Sequence, residues 1–598
     1  MRSLYQDAER AGVAVSYRGT DGSDTRVSEE TLALVMAALQ NAGALELQRS
    51  VAPKDGKCYL PDFLVGGRAW GISLQLYELR SERNAGIGDF ADLAEVCRIA
   101  GGLGADFVGC NPLHALFIAD PGQCSPFYPS NRRFLNPLYI AVDRVPGVIW
   151  TPDQLSLAAR LRGTDLVNYE EISALKLALL RTAWLDWVDA NELPRADFVA
   201  FQEQVGSALS NHALFDALSC HFVARGYRAG WRDWPLAYRQ LGSAQVALFA
   251  SDCSAEIEFH KWLQWIASRQ LAEARAVAQA SGMRIGLYLD LAVAEAPDGS
   301  ATWSEPGQFL QGMKIGAPPD VFSADGQDWG LAPLSPHVVA QSGGFYETLI
   351  ESLMKSAGAL RIDHAMSLAR LFVTPEGLTA RRGTYLSYPM AEILATLVVL
   401  SQRSRTILIG EDLGNVPEGF RCHMQEARIL SYRVLCFEHS DAKFRPAASY
   451  PALSLACATT HDLPPLRAWW GADDIEERLD QGLIDEKAAA AQRADRRTLK
   501  YSLLRALAAE GIPSPPAFPA ESWQALALRV HSFLAGTPSV LAVARLADMT
   551  GETRSTNVPG TAQTYPNWRP KLSLTVEEIE RSPMVQAIAH LFAAERPR

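Results

Sequence analysis

The chain has no C-x-x-C pair: its nine cysteines, Cys58, Cys97, Cys110, Cys124, Cys220, Cys253, Cys422, Cys436 and Cys457, are scattered and odd in number. This excludes a zinc ribbon and a disulfide framework, and it fits a reducing, cytoplasmic setting. Membrane-spanning apolar runs are missing too. The stretch Ala391 to Leu400 is short and broken by Glu392, and the opening residues MRSLYQDAER lack the apolar centre of a secretory leader, so no membrane partner is expected. Positive charge is in deficit, with 56 Lys and Arg against 67 Asp and Glu and a net charge of -11, which repels phosphate backbones and excludes nucleic acid as a natural partner. There is no internal repeat and no low-complexity tract. No glycine-rich loop of phosphate-binding spacing follows a strand; GGLG at 101–104 precedes one and reads as a helix ending, which argues against a nucleotide-dependent transferase.

What remains is an ordinary globular composition, 48% hydrophobic and 21% charged over 598 residues, enough for a large core. Residues 1–64 read as a small helical unit in which Ser28 is an N-cap, Glu29 and Glu30 suit the positive end of a helix dipole, and an apolar run follows. The polar linker VAPKDGK places a boundary near residue 65. Beyond it, eight short apolar runs recur: 72–76, 107–112, 285–293, 359–364, 406–412, 432–438, 455–462 and 539–546. Near-continuous apolar strands alternating with helical segments mean a parallel sheet covered on both faces, and eight of them suggest an α/β fold closed into a (β/α)8 barrel over 65–598. Two intervals, about 114–284 and 463–538, are too long for single helices and read as inserted, mostly helical subdomains.

Barrel enzymes place their chemistry at the C-terminal ends of the strands. Four runs carry a carboxylate there: Asp290, Asp363, Glu411 and Asp462. Each alone could cap a helix or pair with arginine, but converging on one mouth they repel unless one holds a proton or an electron-poor centre is stabilised among them. Two carboxylates flanking an acetal is the pattern of glycoside chemistry. A metal site is the weaker alternative, because His364 and His461 each adjoin an acidic residue in what reads as strand, where successive side chains face opposite ways.

The motifs LRIDH (360–364), GEDLG (410–414) and THDLP (460–464) resemble the three catalytic motifs of the 4-α-glucanotransferases, the amylomaltases or disproportionating enzymes of glycoside hydrolase family 77. QLYELRSERNAGIGDF (75–90), CSPFYPSNRRFLNPLYI (124–140), GAPPD (316–320), GQDWG (326–330), NVPGT (557–561) and NWRPKLS (567–573) match in the same order. The N-terminal unit resembles the start of the longer bacterial subgroup, with most of its β-rich extension missing. The resemblance implies Asp363 as nucleophile, Glu411 as general acid and base with a pKa above the ordinary ~4.3, and Asp462 as stabiliser of the oxocarbenium-like transition state. It further implies Arg361 as the partner that keeps Asp363 ionised, and His364, His461 and Asp290 as sugar-binding or site-organising residues.

A glucan presents apolar faces and hydroxyl edges, so Trp329 and Gln327 are expected as platform and amide partner, and Asn557 as a hydroxyl ligand. One departure stands out: where the family has Ser-Pro-Tyr, this chain has Ser125, Pro126 and Phe127, with Tyr128 displaced by one, so stacking is kept and a phenol hydroxyl lost. The expected partners are malto-oligosaccharides, glucose and α-1,4-glucans. No metal or cofactor is required, because a covalent intermediate conserves the glycosidic bond energy. A retaining hydrolase of the same clan would use the same three carboxylates, and an inert glucan binder would be expected to have lost one of them.

Overall fold

The computed structural model describes residues 3–19, 24–44, 56–189, 195–319, 325–339, 341–561 and 564–598. Most of the VAPKDGK linker, and Asp320 of GAPPD, lie outside the described residues. All eight apolar runs form strands: β1 (Ala69–Leu74), β2 (Phe107–Cys110), β3 (Gly286–Leu291), β4 (Ala359–Ile362), β5 (Ile407–Gly410), β6 (Leu430–Val434), β7 (Ser454–Cys457) and β8 (Leu541–Arg545). Each pairs in parallel with its sequence neighbours, and β8 returns to β1 to close the barrel. β2, β3, β4, β5, β7 and β8 are buried along their whole lengths, as strands with helices outside and packed side chains inside must be.

The barrel interior is plugged by Phe107, Tyr288, Ile407, Ile409, Leu430, Tyr432, Leu455 and Leu541, with Phe107 and Tyr288 meeting edge to face at 5.9 Å. This plug is the floor on which the polar mouth is built. The sequence around QLYELRSERNAGIGDF serves the first helix: Asp89 caps Phe90–Gly102, and Arg83 pairs with Asp89, Asp92 and Asp143. Residues 114–284 are mostly helical, and their last helix, Ser254–Ala280, packs on Phe90–Gly102 and leads directly into β3. In 463–538 the helices Leu466–Gly471, Asp473–Asp480 and Glu486–Ala509 precede Trp523–Gly536, which leads into β8.

The loops after β3 and β4 together make an antiparallel four-stranded sheet in the order Thr384–Ser387, Arg370–Pro375, Met313–Ala317, Gln327–Leu331. Its last strand carries the GQDWG motif. Against the opposite edge lies the N-terminal unit, with helices Leu4–Arg10 and Glu29–Asn41 and the strand pair Ser16–Arg18 and Asp24–Arg26. Ser28 is the N-cap expected from the sequence: its side chain accepts from the Thr31 N–H.

Candidate active site

Asp290 on β3 and Arg361 on β4 are register partners in the parallel ladder, so both side chains enter the barrel mouth side by side. Arg361 Nη1 donates to both oxygens of Asp290 at 2.8 Å, and Nη2 lies 2.8 Å from Asp363 Oδ1. The guanidinium stands 5.6 Å above the Tyr432 ring of the interior plug, which fixes its height in the barrel. Asp363 follows β4 directly, its N–H continuing the ladder to Leu291 O at 3.1 Å. Glu411 follows β5, with its N–H on Ile362 O at 3.0 Å. Gly410 permits this approach, since a Cβ there would stand 2.5 Å from Met424 Cε and 3.0 Å from Ala365 Cβ.

The Glu411 carboxylate is oriented by backbone. Oε2 accepts from the His364 N–H at 3.0 Å and Oε1 from the Leu413 N–H at 2.8 Å. His364 can present its N–H because it leaves the strand in the left-handed region, φ 45° and ψ 60°, a conformation that costs energy in a non-glycine residue and persists where its surroundings fix it. Burial, reinforced by the charge of Asp363, pushes Glu411 up to about 7 against the pull of Arg361 and the two N–H donors. Burial likewise raises Asp290, to about 6, and lowers His364 to about 4. One guanidinium faces three carboxylates, so near neutrality the cluster retains a proton, and Glu411 is the best-placed holder.

Across the mouth the construction differs. β7 ends at Cys457, five residues before Asp462, earlier than the apolar run suggests. The chain peels away because its polar groups are claimed by β8 and the helix after it: Arg545 Nη1 donates to Thr460 O at 2.7 Å and Leu463 O at 3.2 Å, and Thr459 Oγ1 donates to Asp548 at 2.6 Å. Arg545 Nη2 also donates to Thr556 Oγ1 at 2.6 Å, tying down the residue before Asn557. Asn557 Nδ2 in turn donates to Asp462 Oδ1 at 3.0 Å, and His461 Nε2 lies 3.1 Å from Asp462 Oδ2. Half of the Asp462 side chain meets solvent. Withdrawal into the cleft works against its charge but is outweighed by His461, Asn557 and Arg361, which hold its carboxyl below the usual range.

Aromatic rings line this second side. Phe127 stacks on His461 at 4.6 Å and 17°, and Trp568 leans on both, at 5.5 Å from Phe127 and 5.9 Å from His461. Trp568 also has positive φ (62°), held by its N–H on Thr556 O and by Tyr169 Oη donating to its carbonyl. Above the first side, Trp329 meets His364 edge to face at 5.1 Å, its indole N–H donating to Gln327 Oε1 at 3.0 Å. Tyr128 stands apart from the Phe127 stack, its ring against Gly330 of GQDWG.

The structure thus brings together Asp290, Arg361, Asp363, His364 and Glu411 on one side, His461, Asp462, Asn557 and Phe127 on the other, and Gln327 and Trp329 overhead. Sequence reasoning missed Trp568 and Arg545; Trp568 lies in NWRPKLS, whereas Arg545 has no signal beyond ending a strand-like run. One premise needs correcting: His364 and His461 are not in strands, so adjacent side chains can converge, as His461 and Asp462 do. Among the described residues no group of three or more His, Cys, Asp or Glu is arranged to hold a metal.

Comparison with known proteins bears on the family and the fold. Residues 74–575 match the family model described as 4-alpha-glucanotransferase, Glyco_hydro_77. A 4-alpha-glucanotransferase of Haemophilus influenzae is 34% identical over 550 residues, covering 88% of this chain and 78% of that protein. One of Mycobacterium tuberculosis is 34% identical over 543 residues, covering 86% and 72%. The crystal structure of amylomaltase from Corynebacterium glutamicum superposes with a TM-score of 0.84 at 25% identity, covering 98% of this chain and 99% of that one. Amylomaltase from Streptococcus agalactiae in complex with acarbose shares the fold at a TM-score of 0.70 and 20% identity, covering 89% and 99%.

Proposed function

This chain belongs to the 4-alpha-glucanotransferases of glycoside hydrolase family 77, and from that premise we propose that it moves α-1,4-glucan segments between malto-oligosaccharides by double displacement at the mouth just described. Asp363, paired with Arg361, attacks the anomeric carbon and forms a covalent glycosyl-enzyme. Glu411, protonated at the outset, delivers its proton to the departing glycosidic oxygen and then recovers one from the 4-hydroxyl of the acceptor. Asp462 stabilises positive charge as it develops at the ring and accepts from sugar hydroxyls, with Asn557 and His461 holding it in place. Phe127, Trp568 and Trp329 supply apolar faces for the sugar rings, Gln327 an amide edge, and Asp290 fixes Arg361.

The observation that carries this reading is the division of labour between Asp363 and Glu411 on neighbouring strand ends. One is paired with a guanidinium, and the other is buried against two backbone N–H groups with its pKa lifted to about 7. All nine cysteines are free, five of them buried, which supports a reducing cytoplasm as the working compartment.

The test is incubation with maltotriose alone, following free glucose and the oligosaccharide ladder. Glucose appearing with longer chains at constant total reducing ends is the expected outcome. Rising reducing ends without longer products would make the protein a hydrolase, and no change in a folded sample would leave an inert binder.

A further inference from the structure

The mechanism gives no task to residues 3–44. We propose that this N-terminal unit is a brace for the proton-donating side of the mouth, and that Tyr17 and Tyr385 are positioning residues for Glu411. The inference rests on the reading of Glu411 as the acid and base.

The unit extends an active-site sheet. Its chain pairs with the edge strand Thr384–Ser387: Ala14 N donates to Tyr385 O at 2.9 Å, Ser387 N to Gly12 O at 2.8 Å and Thr384 Oγ1 to Ala14 O at 2.6 Å, with a bridge between Val13 and Leu386. An otherwise open sheet edge is thereby closed. Farther out, Thr31 Oγ1 donates to Arg382 O at 3.0 Å and Glu30 pairs with Arg382.

The side chains carry the contact inward. The Tyr17 ring packs edge-on against Phe372 at 5.5 Å and Tyr385 at 5.8 Å, and those two meet at 5.2 Å, so three buried rings lock the first two strands of the sheet together. Tyr385 Oη accepts from Asn415 Nδ2 at 3.3 Å, four residues beyond Glu411 in the same loop. Arg370 lies over the Tyr385 ring, 4.0 Å from its centroid, and its Nη2 donates to Asn415 O at 3.4 Å. Arg370 in turn opens the strand that follows the turn Ala365–Leu368, and that turn is fastened to the acid loop by Ala365 N on Glu411 O (2.8 Å) and His364 N on Glu411 Oε2. The two loops that hold Glu411 therefore meet again at Tyr385, and Tyr17 backs that meeting point.

A separate glucan-binding role for the unit finds little to work with. Of its described aromatic rings, Tyr17 is buried in this contact and Tyr5 is covered by the Arg26 guanidinium at 4.7 Å.

The experiment compares two donors in the full-length protein. Maltotriose needs a proton on its departing oxygen, whereas the fluoride of α-maltosyl fluoride leaves without one, so a fault in Glu411 placement slows the first and spares the second. First-turnover release is measured for Tyr17→Ala, Tyr385→Phe and, as reference, Glu411→Gln. Expected is a loss of ~10-fold for Tyr17→Ala and ~3-fold for Tyr385→Phe on maltotriose, under ~2-fold for either on the fluoride, with KM unchanged; general acid catalysis spans ~10²–10⁴ in full, so these are partial losses of it.

Equal losses on both donors, or none in either folded variant, would overturn the brace. So would weakened binding of long glucan with the chemistry intact. If Tyr17→Ala fails to fold, Tyr385→Phe decides, since it keeps the ring and removes only the hydroxyl facing Asn415. Failure of Glu411→Gln itself to separate the donors would strike the acid assignment instead.

Discussion

The two sides of the barrel mouth use the same side-chain chemistry in opposite environments. On the β3–β5 side, Asp290, Asp363 and Glu411 crowd around one buried guanidinium, and burial lifts Glu411 to about 7. On the β7–β8 side, Asp462 sits half in solvent between an imidazole and an amide, and its carboxyl is held low. The difference teaches that surroundings, rather than residue type, assign the tasks: a carboxyl that must carry a proton is desolvated among like charges, and one that must act as an anion is given a cation or donors, Asp363 by Arg361 and Asp462 by His461 and Asn557.

Removing each carboxylate should break the comparison most sharply. Glu411→Gln is expected to lower kcat by ~10²–10⁴-fold, and Asp462→Asn by ~10²–10³-fold. Their contributions to stability should change with pH in opposite directions. Glu411 ionises near 4.5 when unfolded and near 7 when folded, so unfolding releases a proton between those values. Its contribution to stability therefore falls as pH climbs through that window, and the whole deficit is present above 7. Glu411→Gln removes this dependence, so relative to wild type the variant should gain ~1–3 kcal/mol of unfolding free energy between pH 5 and pH 8, on top of a pH-independent cost of setting an amide against one of the two N–H donors. Asp462 is lowered on folding, so its contribution is present above the unfolded value of 3.8 and lost below it. At pH 8 Asp462→Asn should cost at most ~0.5 kcal/mol, because half of the side chain is in solvent. Denaturant titration of both variants at several pH values checks the pair of slopes; a Glu411→Gln that gains nothing relative to wild type between pH 5 and pH 8 would contradict the account of the buried side.

Arg361→Lys sharpens the same contrast. Activity on the alkaline side requires protonated Glu411, so wild-type kcat/KM should decline above about pH 7. Arg361 pulls Glu411 down, and a lysine cannot fork to both oxygens of Asp290 and to Asp363. The cluster is then less well neutralised, and the alkaline limb should move to higher pH by up to ~1 unit, alongside a ~10–100-fold loss of kcat. The pH profile of the variant is the measurement; a limb displaced to lower pH would sink the shared-guanidinium account.

The asymmetry also explains how far the sequence could be read. Apolar continuity marks each barrel strand because each is buried on both faces, and Asp290, Asp363 and Glu411 lie inside or directly after such strands, where a strand-end rule finds them. Asp462 follows a strand that stops early, so its placement depends on Arg545, whose three bonds to loop atoms leave no pattern in composition or spacing. Trp568 is similar: its ring reaches Phe127 only because its backbone takes a positive φ fixed by Thr556 in the same loop and by Tyr169, 399 positions away. The N-terminal unit is legible as a helical segment around Ser28, but the strand pairing that attaches it to the Tyr385 edge joins residues more than 350 apart.

A smaller effect than removal of any of the carboxylates' charged partners lies at the edge of the wet side. Asn557 contributes one hydrogen bond, from an amide to an already solvated carboxylate. Water can replace that donor where Asp462 is half exposed, so Asn557→Ala should cost about 1 kcal/mol in transition-state stabilisation, or ~5–10-fold in kcat/KM. Asn557→Asp has nearly the same shape but sets a negative charge about 3 Å from Asp462. It should fall further than alanine and recover partially at lower pH, as one of the two carboxyls takes a proton. If alanine and aspartate were equally harmful, Asn557 would act by filling space, and the low pKa of Asp462 would be the work of His461 and Arg361.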